Sequence, residues 1–358
     1  MSTDLKSDSE AEIIFEQKGQ LGIITLNRPK ALNALTHEMA IALEAQLSQW
    51  SQDEKIAAAL IKGAGEKAFC AGGDIVKLYS EGKAGGDYPY RFYHDEYVCN
   101  AAVKHFPKPY IALIDGIVMG GGVGVSVHGS HRIATERTMF AMPETGIGLF
   151  PDVGGTYFLP RCPGEIGLYL GLTGARLKAA DVIYAGIATS FVASADLNGL
   201  EDALASMSFS DNPARDVDQM IAVYAGDAGA AQLADLQEWI DQHFAFSNVE
   251  EIIASLAADS DEWAQKLSVS LLKKSPTSMK LTCRQIREGA TLDFDDCMKL
   301  EWRLVNRIIK GADFYEGTRA LLIDKDQSPV WSPPTLDEVR DEDIDAYFQP
   351  LEAGELDI

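Results

Sequence analysis

The sequence predicts an α/β fold with a helical C-terminal region, on three observations. Short apolar strands and amphipathic helices alternate up to about residue 195; only helical patterns follow; and 46% hydrophobic residues in a 358-residue chain are ample for a packed interior. The chain divides into an acidic tail over 1–11, an α/β core over 12–205 and a helical region over 206–358. No Ser/Gly-rich linker separates the last two, so they are expected to pack as one body.

The elements follow in order. "IIFEQKGQLGIITLNRP" reads as two strands around a Gly turn, and Thr36 then caps a helix whose Met39, Leu43, Leu47 and Trp50 share one face. "AAALIKGAG" repeats the strand signal, "YRFYHDEYVCNAAVKHF" reads as a helix, and "PYIALID" is an apolar, β-branched strand of the kind buried on both faces. Beyond residue 195 the helical patterns are "EDALASMSF", "AAQLADLQEWIDQHF", "VEEIIASLAA", "EWAQKLSVSLLKK" and "DFDDCMKLEWRLVNRIIK". Ser275 with Pro276 is an N-cap followed by proline at the first helical position, opening "TSMKLTCRQIREG". The acidic stretch from Asp337 is expected to be partly mobile.

Composition excludes several function classes. With 31 Lys and Arg against 54 Asp and Glu, the net charge of −23 repels polyanions, so nucleic acid is not an expected partner. The polar opening "MSTDLKSDSEA" has neither a signal nor a transit pattern, and no apolar run reaches 18 residues, so a cytoplasmic chain without membrane contact is expected. Cys70, Cys99, Cys162, Cys283 and Cys297 are scattered without CxxC spacing, and His128 and His131 lack a neighbouring acid or cysteine. Reduced thiols, structural histidines and no metal are expected.

Two glycine loops follow predicted strands, "FCAGGDI" and "DGIVMGGGVGVSVHG". Free amides at a helix start without Cβ atoms in the way meet the requirement of an oxyanion hole, although glycine also serves close packing. Neither loop has the Gly-Lys-Ser/Thr of a P-loop or the spacing of a dinucleotide fingerprint. In "MPETGIGLFPDVGG", Glu144 and Asp152 each follow a proline among apolar neighbours. Partial burial there would raise a carboxylate pKa towards that of a general base; the other reading makes Glu144 the cap of a loop and Asp152 the cap of a helix starting near Val153.

Together, "LNRPKALNAL", "KAFCAGGDI", "ALIDGIVMGGGVGVSVHGSHRIAT", "FAMPETGIGLFPDVGGTYFLPR" and "LTGARLKAADVIYAGIA" resemble the crotonase, or enoyl-CoA hydratase/isomerase, superfamily. The resemblance implies a crotonase-like spiral of ββα units binding an acyl-CoA thioester. By position the amides that polarise its carbonyl are those of Ala71 and Gly121. Members that hydrate alkenes carry a catalytic Glu at the position of Gly124 and glycine at that of Asp152. The pair Glu144 and Asp152, with the C-terminal "SPTSMKLTCRQIREG" and "FYEGTRALLIDKDQSPVW", looks like the branch that hydrolyses 3-hydroxyisobutyryl-CoA in valine breakdown.

That likeness implies Glu144 as base or nucleophile, Asp152 as its helper holding the 3-hydroxyl, and Glu96 on the acyl side, where the residue alone reads as a solvated helix position. Arg28, Lys30 and Lys325 are candidates for the CoA phosphates, each equally readable as surface charge. Coenzyme A is part of the substrate, and no separate cofactor is expected. A hydratase or isomerase, and a non-catalytic acyl-CoA-binding protein, are the competing readings. Many members form trimers, so a homo-oligomer is open, with the extended C-terminus either covering that surface or crossing to a neighbour.

Overall fold

The computed structural model describes residues 11–352 and 354–358; of the acidic tail assigned to 1–11, all but Ala11 lies outside them. Strands β1 (Ile13–Lys18) and β2 (Leu21–Leu26) form the expected antiparallel hairpin, and Thr36 accepts the Met39 amide to cap the helix His37–Gln52. Met39, Leu43, Leu47 and Trp50 are all buried, as the helical spacing requires.

A repeating unit then begins. β3 (Ala58–Gly63) passes into β4 (Ala68–Cys70), β5 (Tyr110–Ile114) into β6 (Ile117–Met119), and β7 (His131–Ala134) into β8 (Met139–Ala141). The first of each pair joins a six-stranded sheet of order β1-β2-β3-β5-β7-β9, with β9 at Ser190–Phe191. The second joins a three-stranded parallel sheet of order β4-β6-β8. Helices connect the turns, which is the spiral that the resemblance implies.

Side chains alternate between two cores, as the period of a strand dictates. Ile24, Leu26, Ile61, Ala112 and Ile114 face the larger core, shared with Phe140, Phe150 and, from the C-terminal helices, Phe244, Met298 and Leu304. Leu21, Ile23, Leu60 and Ile111 face the other side, covered by the helices Leu197–Ser206 and Pro213–Tyr224. The second of these is not among the expected helices, although Asn212 and Pro213 carry the same cap-and-proline signal as Ser275 and Pro276.

The other expected C-terminal helices form at Gln232–Phe244, Val249–Ala258, Glu262–Leu271, Pro276–Gly289 and Phe294–Ile308. The stretch from Asp337 departs from the expected mobility. It forms the helix Asp341–Phe348 and buries Val339, Ile344, Phe348 and Leu356 in the larger core, so apolar contact outweighs its acidic composition. All five cysteines are free and buried.

Candidate active site

The three-stranded sheet aims three loops at one place, because β4, β6 and β8 run parallel and end together. Gly72 and Gly73 follow β4, Gly120 and Gly121 follow β6, and Pro143 and Glu144 follow β8. They enclose a cavity of about 250 Å³, whose wall is completed by Glu96, Asp152 and the apolar side chains of Phe92, Ile147, Leu149, Leu321 and Leu322.

The first glycine loop requires a correction. Ala71, the expected donor, gives its N–H to the Leu32 carbonyl at 3.0 Å, so it is not free for a ligand. Leu35 pairs on either side of the next residue but one, donating to the Gly72 carbonyl at 2.8 Å and accepting the Asp74 amide at 3.0 Å. That leaves the amide of Gly73 between them, and among the described residues it has no acceptor; nor has the amide of Gly121. The two are neighbours: a Cβ on Gly121 would lie 3.2 Å from Gly73 N and run into Glu96 Oε1. Gly121 is buried and Gly73 half-buried, and two amides without acceptors on one cavity wall form an anion-accepting pair.

The acids face this pair. Glu144 opens a 3-10 turn after Pro143, and its Oε2 is buried without a hydrogen-bond partner. A Cβ on Gly120 would sit 3.4 Å from Glu144 Oε1, which places that carboxyl beside the second glycine loop. Asp152 accepts a hydrogen bond from the Tyr97 hydroxyl at 3.0 Å. Glu96, on the helix Tyr88–Lys104, points inward with Oε1 unpartnered, so its reading as a solvated helix residue does not hold. Exposure is only 2% for Glu96, 5% for Glu144 and 4% for Asp152.

The reading of Asp152 as a helix cap also fails. The short helix Gly155–Phe158 has its first amides satisfied by Glu301, which accepts Gly154 N–H at 2.8 Å and Thr156 N–H at 2.9 Å. His128 donates to the Val153 carbonyl at 2.7 Å, and Gln285 donates to that of Pro151. These bonds hold Val153 at φ 51°, a left-handed conformation costly for a β-branched residue. The Asp152 side chain is thereby turned to the cavity. Glu301 was invisible to sequence reasoning, since its partners lie about 150 residues earlier.

Burial raises every acid of the group. Glu144 is held well above the usual carboxylate range by burial and by the charge of Asp152, with Lys274 opposing. Asp152 is pushed up to about 7 by burial, against the Tyr97 hydrogen bond. Glu96 is raised by burial and then by Asp152, Glu301 and Glu144, while burial and Asp152 push Glu301 up to about 8. Lys274, whose Nζ donates to Thr145 Oγ1 at 3.0 Å, is brought down to about 8 by burial, opposed by Glu144. Asp152, pushed up to about 7, is thereby able to exchange a proton near neutral pH, as acid–base chemistry requires.

Gly124 offers no room for a further acid. A Cβ there would lie 2.6 Å from Asn100 Nδ2 and 2.7 Å from Val153 Cβ. The three basic candidates are not on the cavity wall. Arg28 is paired with Glu12 at 3.1 Å and Asp74 at 3.2 Å, while Lys30 and Lys325 are exposed. Among the described residues, no group of three or more His, Cys, Asp or Glu is placed to hold a metal ion, and no helix is long and apolar enough to cross a membrane.

A family model described as enoyl-CoA hydratase/isomerase matches residues 21–348. The chain is 48% identical over 358 residues to the mitochondrial 3-hydroxyisobutyryl-CoA hydrolase of Danio rerio, covering 98% of this chain and 93% of that protein. Identity to the protein of the same name from Homo sapiens is 46% over 356 residues, covering 98% and 92%. Among solved structures, a carnitinyl-CoA dehydratase from Mycobacterium thermoresistibile superposes with a TM-score of 0.90 at 40% identity, covering 97% of this chain and 99% of that one. An enoyl-CoA hydratase from Rhodobacter sphaeroides 2.4.1 gives 0.89 at 38%, covering 97% and 100%. The names of the two hydrolases place them in mitochondria and lend no support to a cytoplasmic chain.

Proposed function

The chain belongs to the enoyl-CoA hydratase/isomerase family, and from that premise we propose that it hydrolyses 3-hydroxyisobutyryl-CoA to 3-hydroxyisobutyrate and coenzyme A, a step of valine breakdown. The observation that carries this reading is the convergence, on one small cavity, of two amides without acceptors and an unpartnered buried carboxyl, Glu144.

The thioester oxygen lies between Gly73 N–H and Gly121 N–H, which stabilise the negative charge it gains on attack, by about 3 to 4 kcal/mol for each donor. Glu144 removes a proton from the attacking water, or attacks the carbonyl carbon itself to give a mixed anhydride that water then opens. In both routes the C–S bond breaks and a proton goes to the sulfur. Asp152, pushed up to about 7, is matched to deliver that proton and lies where it can hold the 3-hydroxyl. Single turnover in ¹⁸O-water tests the anhydride route: heavy oxygen in Glu144 marks an anhydride opened at the Glu144 carbonyl, whereas direct attack by water, like opening at the acyl carbonyl, sends it to the acid product alone. Coenzyme A enters as part of the substrate, and no other cofactor takes part.

The two structural neighbours with hydratase and dehydratase names make alkene hydration the alternative. It is disfavoured by Gly124, where the acid that the hydratase pattern requires is absent and its Cβ would collide with Asn100. The test supplies the 3-hydroxyacyl-CoA and, separately, the corresponding unsaturated acyl-CoA. Thiol release from the first with no water added to the second is expected; hydration of the second without thiol release sinks the proposal. Sedimentation of the purified chain decides whether it self-associates.

A further inference from the structure

A second cavity, of about 370 Å³, lies at the N-terminal end of β5 and shares no lining residue with the first. Four basic side chains line it, Lys104, Lys108, Arg132 and Arg161, and no Asp or Glu does, in a chain whose acids outnumber its bases 54 to 31. Chance placement on so acidic a protein would give the opposite composition.

The partners of these cations are neutral. Arg132 donates to the carbonyls of Ile187 at 2.7 Å, Gly129 at 2.8 Å and Gly186 at 3.2 Å. Arg161 donates to those of Tyr157, Gly289 and Leu292, and its guanidinium lies 3.8 Å over the Tyr157 ring. Lys104 Nζ stands 4.7 Å from the same ring. Lys108 is bonded to the carbonyls of Trp50 and Asp53, with the carboxylates of Asp53 and Glu54 near enough to offset part of its charge. Carbonyls and rings fix the geometry of a cation without cancelling its charge. His128, also on the wall, cannot act as counter-charge: burial first, then Lys104 and Arg132, hold it down to about 3, so it is neutral.

We propose that this cavity is a second ligand site that takes a small phosphate-bearing anion, with Lys104, Arg132 and Arg161 meeting the phosphates and Tyr157 holding Lys104 and Arg161 in place. Four cations on one wall without a carboxylate among its lining residues favour an anionic ligand there. Guanidinium forks match phosphate oxygens in pairs. The volume falls in the range of small-molecule sites, roughly 300 to 1,000 Å³. The global charge of −23 does not prevent this, since screening confines its effect to about 10 Å at ordinary ionic strength.

Calorimetric titration of the full chain with pyrophosphate and, separately, ADP tests the site. Lys104 is the residue to change, because its recorded partners are aromatic rings rather than backbone groups that hold the fold. Saturable binding by the wild type is expected to weaken at least 10-fold in Lys104→Glu and to stay within about 3-fold in Lys104→Arg. Lys266→Glu, on an exposed helix face, should leave it unchanged. Should Lys104→Glu not fold, Lys104→Gln serves, with a smaller loss. Equal affinity for the two probes assigns recognition to phosphate alone, and a preference for ADP adds the ring; either outcome upholds the site. No binding to the wild type, or binding that Lys104→Glu leaves intact, overturns it. Neither result depends on thioester hydrolysis.

Discussion

Every polar group assigned to the thioester lies between Gly73 and Asp152, whereas three side chains that hold the loop carrying Glu144 and Asp152, namely Lys274, Gln285 and Glu301, come from the helical region after residue 260. The spiral brings its groups together through parallel register, which neighbouring strands enforce locally. The helical region acts through single long-range bonds to the loop that carries Glu144 and Asp152. Chemistry and its positioning are thus divided between two regions that share one core.

If that division is right, removing a group of the spiral should damage turnover more than removing one of the helical supports. Gly121→Ala places a Cβ against Glu96 and the Gly73 amide, and kcat is expected to fall about 10²- to 10³-fold while circular dichroism stays native. A loss under 10-fold would separate the amide pair from the reaction.

Glu301→Ala removes the acceptor of two buried amides, at a cost of about 1 to 3 kcal/mol each, measurable by urea denaturation. It also removes one of the three side chains that hold Val153 in its left-handed conformation, so kcat should fall about 10-fold with KM little changed. Glu301→Gln, which keeps one acceptor oxygen, should recover part of both. A kcat unchanged in Glu301→Ala would show that the helices contribute stability alone.

Lys274→Met sharpens the comparison through pH. Lys274 lowers the pKa of Glu144, so its loss should move the acid limb of the kcat/KM profile to higher pH, with only a few-fold change at pH 8. An unmoved limb would mean that another group sets it.

The smallest effect is on stability. Glu96, Glu144, Asp152 and Glu301 all have folded pKa values above the ordinary carboxylate range, so between about pH 4 and 8 the folded chain binds more protons than the unfolded one. Their contribution is therefore present at low pH and lost as pH rises through the folded values. Denaturation at pH 5 should show the more stable chain and denaturation at pH 8 the less stable one, and Glu301→Gln should reduce the difference.

The same two regions differ in how far the sequence reveals them. The hairpin, the Thr36 cap, the buried strand β5 and the glycine loops all rest on residues near one another in the chain, where periodicity and turn chemistry operate. Glu144 and Asp152 were legible because prolines and apolar neighbours mark them. Which amide of the first loop is free was not, since it depends on Leu32 and Leu35, some 40 residues earlier, taking its neighbours' bonds. Glu96 and Glu301 look like ordinary helix acids until packing closes over them. The helix Pro213–Tyr224 was legible and passed over, with Asn212 as its cap.

The central claim is that Glu144 acts on a thioester carbonyl held by Gly73 and Gly121. The most direct test is release of free thiol from 3-hydroxyisobutyryl-CoA by the wild type and Glu144→Gln, with acyl-CoA affinity measured in parallel. The account predicts release by the wild type, a fall of about 10³-fold or more in the variant and little change in affinity. Comparable release by a folded Glu144→Gln, or none by a wild type that binds the substrate, would contradict it.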